Sequence, residues 1–328
     1  MEDILDRSWN GKLLIKTKGD MYKSKILREL NGIPIFSEAD DYIKNYDEIS
    51  ADHMESLKQT GENPFMSEAY WDELENSTVE QLKPHLFSGA KILDVGVGLG
   101  RLLDKLDPKL EKFGIDISEQ YLAESKKKGI NVCMAKIEDM PYEDNLFDFV
   151  VSTDVLEHVF DLNQCIEQIL RVLKPGGILL MRVPFKENLD VYLSFNKYQY
   201  VHLRNFDEGS IRLLFTKIFD CEVLDVKTMG MIPNPLKIKS PMLINKGRIF
   251  RLTNLLKIFM VNLLEKGSSN DFFVKLVDTK FWSKYNRINR LKSNILFWVL
   301  DKFVTAGEAY HLDDFYERIE ISVVVKKN

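Results

Sequence analysis

Short apolar runs alternate with amphipathic segments along the middle of the chain, from about residue 91 to residue 230. Such alternation favours a parallel sheet with helices on both faces. It predicts strands at 91–95, 112–117, 131–135, 147–153, 177–184 and 222–227. Helical periodicity predicts helices near 101–106, 118–128, 161–173 and 207–218. A further helix is predicted over 67–86, and a final strand over 319–326.

Two segments depart from this alternation. Residues 1–60 are polar and turn-rich, with strand-like pieces at 12–15 and 33–36, and predict an irregular or small β segment. This segment resembles a small zinc ribbon without its metal-binding cysteines, so we predict no zinc. Residues 231–316 separate the sixth strand from the last and predict a helical insertion. We therefore expect one main domain formed by residues 61–230 and 317–328.

The insertion is basic and carries apolar stripes. Residues 248–266 and 287–304 each place apolar side chains on one helical face. From residue 236 to residue 303 there are 14 Lys and Arg against 4 Asp and Glu, a local charge of +10 in a chain of net charge −5. The apolar faces fit a lid on the main domain, a homodimer interface or contact with a membrane surface. Aromatic residues between the basic ones also occur on RNA-binding surfaces.

Composition limits the class of protein. The chain has 328 residues, of which 45% are hydrophobic and 29% charged, enough for a sizeable core and a hydrated surface. The three cysteines are far apart in apolar contexts, so we expect buried free thiols. The first residues are polar and acidic, and no apolar run reaches the roughly 20 residues that cross a bilayer. We expect a cytoplasmic protein whose insertion could contact a membrane surface.

The central chemical signal is KILDVGVGLGR, residues 91–101. A short apolar strand carries Asp94 near its end, and Gly96, Gly98 and Gly100 lead into a helix. Glycines let a backbone approach a ligand without Cβ collisions, and sheets of this kind bind ligands at the carboxyl ends of their strands. By itself the pattern is equally consistent with a simple turn.

An acid at the end of the second predicted strand narrows the choice of ligand. Asp116 follows Gly96 by twenty positions, where a carboxylate can accept hydrogen bonds from both ribose hydroxyls of a nucleoside cofactor. Dinucleotide-binding folds share this acid. However, Arg101 stands where their fingerprint needs Gly or Ala. The carboxylate of Asp94 also suits a cationic sulfonium with an ammonium group better than a pyrophosphate.

Four segments together resemble the class I, Rossmann-like methyltransferases that depend on S-adenosylmethionine (SAM). KILDVGVGLGR resembles the first motif of that family, and FGIDIS resembles the acidic segment after it. IEDMPYEDNLFDFVVSTDVLEHV and RVLKPGGILLMRVP resemble its next two motifs, in the family's order and spacing. The resemblance implies a SAM-dependent enzyme. It also implies a three-layer α/β fold with a seven-stranded, mostly parallel sheet whose last strand is antiparallel.

The resemblance also implies which residues hold the cofactor. The acid Asp94 and the glycines should contact the methionine and ribose portions, and Asp116 should hold the ribose. The implied set is Asp94, Gly96, Gly98, Gly100, Asp116, Ile117, Ile137, Glu138, Thr153 and Asp154. Lys136 departs from the family, which often has an acid there, and this puts recognition of the adenine amino group in doubt.

Methyl transfer mainly requires alignment of acceptor and methyl group, with a base only for a poorly ionised acceptor. His158 and His202 are the candidate catalytic residues, although His158 also fits a buttress of the turn after strand four and His202 fits loop packing. His202 and Arg204 are the candidate substrate-binding residues. Glu157 could ligate a metal beside His158, but the sequence predicts no metal site.

The predicted reaction is methylation of an oxygen or nitrogen of a small anionic acceptor, such as a nucleotide- or lipid-linked sugar. The basic insertion supports this prediction. So does VPFKENL…YVHLRNFDEGSIRLLF, which resembles methyltransferases encoded among bacterial surface-polysaccharide enzymes. Alternatives are a nucleic-acid methyltransferase, a non-catalytic SAM-binding module and an NAD-dependent oxidoreductase. The first is disfavoured, because residues 152–155 are Ser-Thr-Asp-Val instead of the Asn/Asp-Pro-Pro-Tyr of enzymes that methylate exocyclic amines.

Overall fold

The computed structural model describes residues 27–61, 68–187, 189, 200–233 and 316–328. These residues form one nine-stranded sheet with helices on both faces. The chain divides into two compact units, Met1–Gly230 with Arg318–Asn328, and Met231–Glu317. The predicted helices at 248–266 and 287–304, and the strand-like piece at 12–15, lie outside the described residues.

The strands run in the order β1-β2-β5-β4-β3-β6-β7-β9-β8 across the sheet. Neighbours from β2 to β7 are parallel, whereas β1 is antiparallel to β2 and β9 is antiparallel to β7. The α/β prediction is therefore confirmed. The strands are β1 (Arg28–Leu30), β2 (Ile33–Ile35), β3 (Lys91–Val95), β4 (Glu111–Asp116), β5 (Asn131–Met134), β6 (Phe147–Thr153), β7 (Leu173–Pro184), β8 (Glu222–Pro233) and β9 (Tyr316–Lys326).

Six α-helices surround the sheet in the part of the chain that the structure describes. Side-chain caps start four of them, because Asp40, Ser118, Asp161 and Asp207 each accept a backbone N–H of the first turn. No helix among the described residues has the length and apolar character needed to span a membrane. The helices are α1 (Asp41–Thr60), α2 (Glu68–Leu82), α3 (Arg101–Asp104), α4 (Glu119–Lys127), α5 (Leu162–Val172) and α6 (Glu208–Leu213).

The sheet separates two apolar clusters, because successive side chains of a strand point to opposite faces. Leu93 of β3 packs on the side of α5 and α6, together with Ile166 and Ile211. Its neighbour Ile92 packs on the other side, with residues of α1 to α4 such as Leu103. Both faces are thus covered, as a parallel sheet requires.

The strand count corrects the expectation of seven. The hairpin of β1 and β2 extends the sheet, since β2 pairs in parallel with β5 through Ile35 and Met134. The strand-like piece at 33–36 therefore forms a strand of the main sheet and not of a separate small β segment.

Helix α1 is a second correction, because residues 41–60 were expected to be irregular or β. The Asp40 carboxylate accepts the Ile43 N–H at 3.0 Å and starts the helix. At the other end Gly61 has a φ of 71°, and its N–H donates to the Leu57 carbonyl at 2.9 Å. The helix therefore begins after the capping carboxylate of Asp40 and ends at the left-handed Gly61.

We predict that Gly100→Ala destabilises the protein more than Gly129→Ala. Both glycines have left-handed φ values, 68° and 78°, so each alanine should cost about 1–2 kcal/mol of backbone strain. A Cβ at Gly100 would also lie 2.6 Å from Ile130 Cδ1 and 2.8 Å from Ser125 Oγ, whereas at Gly129 it meets nothing within 4 Å. Urea unfolding should show roughly 1–3 kcal/mol of further loss for Gly100→Ala. Equal losses would contradict this packing.

Candidate active site

The candidate site lies where the order of the strands reverses. The chain leaves β3 towards β4 and β5 on one side, while β6 pairs with β3 on the other. Ligands of open α/β sheets bind at such a switch point, outside the carboxyl ends of the strands. Three acids come at or near the ends of these strands: Asp94 in β3, Asp116 in β4, and Asp154 directly after β6.

The glycine turn brings the backbone of residues 96–100 close to these ends. The N–H groups of Gly96 and Val97 both donate to the Ile115 carbonyl at 2.9 Å. A Cβ at Gly96 would collide with Val155 Cγ2 at 2.2 Å, whereas a Cβ at Gly98 would meet no atom closer than the Gly96 carbonyl oxygen at 4.0 Å. Gly96 is therefore required for packing, and Gly98 leaves room for a ligand against the backbone.

Asp116 is held by three backbone N–H groups. Its Oδ2 accepts Gly98 N–H at 2.9 Å, and its Oδ1 accepts the N–H groups of Ile117 and Ser118 at 2.8 and 2.9 Å. Burial raises the pKa of this carboxyl, and the three donors act in the opposite direction. Asp116 thus links the glycine turn to the turn after β4, and a carboxylate retains lone pairs for ligand hydroxyls.

Asp94 is buried without full pairing. Its side chain is 2% exposed, and Oδ1 has no hydrogen-bond partner among the described residues. Burial, and then the neighbouring Asp116, raise the pKa of Asp94 well above its ordinary value. An unpaired buried acid is unfavourable, and an ammonium group would satisfy it. The residues present therefore fit the sulfonium and amino groups of SAM.

Arg182 of β7 is a site residue that the sequence did not indicate. Its guanidinium forms an ion pair with Asp154 and donates to Thr78 Oγ1 of α2 at 2.8 Å. Arg182 is 1% exposed, and the Trp71 ring centroid lies 5.8 Å from its Cζ. The signal available in the sequence was one basic residue inside the apolar run ILLMRVP.

A backbone feature accompanies this ion pair. Asp154 has a φ of 57°, uncommon for a residue other than glycine, and its N–H donates to the Arg182 carbonyl at 3.0 Å. The chain therefore turns sharply after β6 and is tied to β7 through both backbone and side chain. Thr153, the last residue of β6, is half-buried beside it.

The turns after β4 and β5 hold Ile117, Ile137 and Glu138, the residues of the cofactor set that the resemblance assigns to the adenine. Ile117 is half-buried, Ile137 is buried, and the Glu138 carbonyl accepts Gln164 Nε2 at 3.3 Å. Lys136, the departure from the family pattern, forms an ion pair with Asp40 at the start of α1. This partner accounts for a lysine at that position, and the adenine contacts remain predictions.

The rings of the two candidate catalytic histidines lie close together. His158 follows β6, and His202 follows β7. The centroids of the His158 and His202 rings lie 4.7 Å apart, and His158 Nδ1 lies 3.1 Å from the Val201 carbonyl oxygen. Burial, followed by the charge of His202, lowers the pKa of His158 to about 3. His158 is therefore neutral near pH 7 and only a weak base, which favours its structural interpretation.

Arg204 is half-buried and donates to backbone carbonyls. Its Nη1 and Nη2 donate to the carbonyls of Leu156 and Phe160 at 2.8 and 3.1 Å. The side chain thereby holds the turn after β6, a role that sequence reasoning missed. Acceptor binding by Arg204 remains a prediction.

Helix α1 contributes residues that sequence reasoning did not place at the site. The Asn45 side chain exchanges two hydrogen bonds with the backbone of Tyr200, at 3.0 and 3.2 Å. The Tyr46 ring lies 5.6 Å from the His158 ring, edge to face. The spacing of Ile43, Tyr46 and Ser50 was a helical signal that could have found this element.

Comparison with known proteins bears on this site. Residues 93–181 match the family model described as a methyltransferase domain. A tRNA (carboxymethyluridine(34)-5-O)-methyltransferase of Arabidopsis thaliana is 37% identical over 109 residues, which cover 32% of this chain and 27% of that protein. A demethylmenaquinone methyltransferase of Symbiobacterium thermophilum is 30% identical over 156 residues, covering 44% of this chain and 59% of that protein.

A solved structure shares the fold. Phosphoethanolamine N-methyltransferase 2 of Haemonchus contortus, in complex with phosphomonomethylethanolamine and S-adenosylhomocysteine, gives a TM-score of 0.50 at 18% identity. It covers 90% of this chain and 62% of that one. The chain thus spans less than two thirds of each of these three proteins. The sequence matches show that residues 93–181 are similar to methyltransferase domains, and the structural match supports the Rossmann-like fold.

We predict that Asp94→Asn makes the ligand-free protein more stable at pH 7. Because folding raises the pKa of Asp94, the unfolded carboxyl ionises above about pH 4, whereas the folded one ionises only at a higher pH. The wild-type free energy of unfolding then falls as pH rises towards the folded pKa.

Asparagine removes this loss, so urea unfolding at pH 7 should give at least about 1 kcal/mol more stability. The slope of stability with pH between 4 and 7 should also be less negative. Asp139→Asn, at an exposed site, is the control. A less stable Asp94→Asn variant at pH 7 would contradict the prediction.

Proposed function

We propose that this protein transfers the methyl group of SAM to an oxygen or nitrogen of a small acceptor bound beside the carboxyl ends of β6 and β7. The buried, incompletely paired carboxyl of Asp94, together with the open space at Gly98, carries this proposal, because a cationic ligand would favour ionisation of Asp94 and pair with its charge. A pyrophosphate would be repelled there, while a sulfonium and an ammonium would be attracted.

Each site residue has a binding task under this proposal. Asp94 accepts hydrogen bonds from the amino group of the cofactor, Asp116 accepts them from the ribose, and Gly98 keeps the approach open. Bound SAM supplies an electrophilic methyl carbon. The protein's contribution is then to align the acceptor and exclude water, because His158 is a weak base at neutral pH.

The acceptor is the finer part of the proposal. The positive charge of residues 236–303 supports an anionic acceptor, and a carrier-linked sugar remains our first candidate from the sequence. By their names, the relatives methylate a tRNA uridine derivative and a menaquinone precursor. The tRNA relative favours nucleic acid as the second candidate. We also propose that the insertion, residues 231–316, forms a lid, a homodimer contact or a membrane contact.

Cofactor binding is tested by calorimetry with S-adenosylhomocysteine. Gly98→Ala should weaken its binding at least about tenfold, because the added methyl group occupies the ligand's side of the turn. Gly129→Ala is the matched control, with a comparable left-handed φ, and should bind as the wild type does. Asp116→Ala should also lose affinity. Wild-type binding of NAD in place of S-adenosylhomocysteine would indicate an oxidoreductase and overturn the proposal.

The acceptor is tested with labelled SAM and a panel of nucleotide sugars, lipid-linked sugars and tRNA. We expect label in an anionic small molecule. We also expect charge reversal at Lys275, Lys280 and Lys284 to reduce acceptor affinity while S-adenosylhomocysteine binding is kept. Label in tRNA, with strongly salt-dependent binding, would select the second candidate. Cofactor binding without any methylated product would indicate a non-catalytic module.

A further inference from the structure

Glu157, His158 and His202 form a cluster with the composition of a metal site. One potential ligand atom from each residue lies within 4.8 Å of those of the other two. Glu157 and His158 follow β6, and His202 comes from the segment between β7 and α6. The backbone joins the two segments directly, because Leu203 N–H donates to the Glu157 carbonyl at 2.9 Å.

Glu157 is the observation that points to a ligand. Its side chain is 1% exposed, and neither carboxylate oxygen has a hydrogen-bond partner among the described residues. A buried carboxylate without a partner is costly, and each such group in a native protein calls for an explanation such as a bound ion.

The distance between Glu157 and His158 fits a shared ion better than a direct bond. Glu157 Oε1 lies 3.5 Å from His158 Nε2, longer than the roughly 2.7–3.2 Å of a good hydrogen bond. Two ligands of a tetrahedral metal with bonds of about 2.1 Å are separated by about 3.4 Å. Only a small movement would bring both atoms onto one ion.

The two imidazoles are also oriented as metal ligands are. His158 Nδ1 lies 3.1 Å from the Val201 carbonyl oxygen, and His202 Nδ1 contacts the Glu187 carboxylate. Metal-bound histidines almost always donate their second ring N–H to a carbonyl or carboxylate in this way. With Nδ1 so engaged, Nε2 is the ligand atom on each ring.

We propose that Glu157, His158 and His202 bind a divalent transition-metal ion, with Glu187 orienting His202. Two imidazoles and one carboxylate suit Zn²⁺, Mn²⁺ or Fe²⁺, and three protein ligands leave a coordination position open. This differs from the expectation of no metal, which rested on the absence of metal-ligand spacing among the cysteines. Use of the open position to ionise an acceptor hydroxyl rests on the proposed methyl transfer, whereas metal binding does not.

The test measures metal binding by the full-length, chelator-stripped protein. Calorimetry with Zn²⁺ and Mn²⁺, and mass spectrometry of the dialysed protein, should show about one ion per chain. Glu157→Gln and His202→Asn should each lose most of this affinity, and Glu187→Gln should lose about 10–100-fold. His85→Asn, outside the cluster, should bind as the wild type does.

A second readout separates a metal ligand from a structural residue. Glu157→Gln removes a buried acid whose oxygens have no hydrogen-bond partner among the described residues, so the stripped variant should unfold at the same or a higher urea concentration than the stripped wild type. Wild-type protein that is folded but binds neither ion at about 1 mM would overturn the proposal. So would unchanged affinity in Glu157→Gln and His202→Asn. Calorimetry with S-adenosylhomocysteine on the stripped wild type tests the proposed function separately, because the cofactor residues lie outside this cluster.

Discussion

The site depends on the interactions of the buried Arg182 guanidinium with Asp154 and Thr78. The guanidinium lies within the sheet, forms an ion pair with Asp154 and reaches Thr78 of α2. Removing one partner of such a buried pair typically costs about 3–5 kcal/mol, because the other charge is left unpaired. The same contact fixes the turn after β6, so the ends of β6 and helix α2 are held together.

The positive charge of Arg182 does not offset the effect of burial on the acidic residues around it. Arg182 lowers the pKa of Asp94, Glu157 and Glu320, yet burial raises the pKa of all three well above their ordinary values. The folded protein therefore has a local excess of acidic groups, which positively charged ligands would relieve. In the two proposed sites, the sulfonium and ammonium of SAM would provide such charge on the Asp94 side, and a divalent ion would provide it on the Glu157 side.

Helix α1 makes the site a product of several distant segments. Asp40 at its start pairs with Lys136, and Asn45 binds the backbone of Tyr200. His53 contacts the Tyr121 hydroxyl of α4 at 2.7 Å. One helix thus contacts the turn after β5, the segment after β7 and α4. Such contacts, polar and specific in direction, position the loops that the sheet alone would leave unsupported.

The sequence determined those features that depend on local order. Short apolar runs between helical, 3.6-residue patterns predicted the strands from β3 onwards, and the glycine turn with Asp94 and Asp116 predicted the candidate cofactor site, because these signals lie in neighbouring residues. Helix α1 was missed although its cap and periodicity were present, since polar composition outweighed the pattern in our interpretation.

Tertiary structure decided the pairings between residues far apart in the chain. Arg182 meets Thr78, Lys136 meets Asp40, and His202 meets Glu157 and His158. The partners are separated by 44 to 104 positions in the sequence. The spacing of residues in the sequence does not predict such contacts. They form, and bury the side chains, only when the strand order brings the segments to one edge of the sheet. The acidic residues could be identified from the sequence, but the small number of cationic side chains around them in the fold could not.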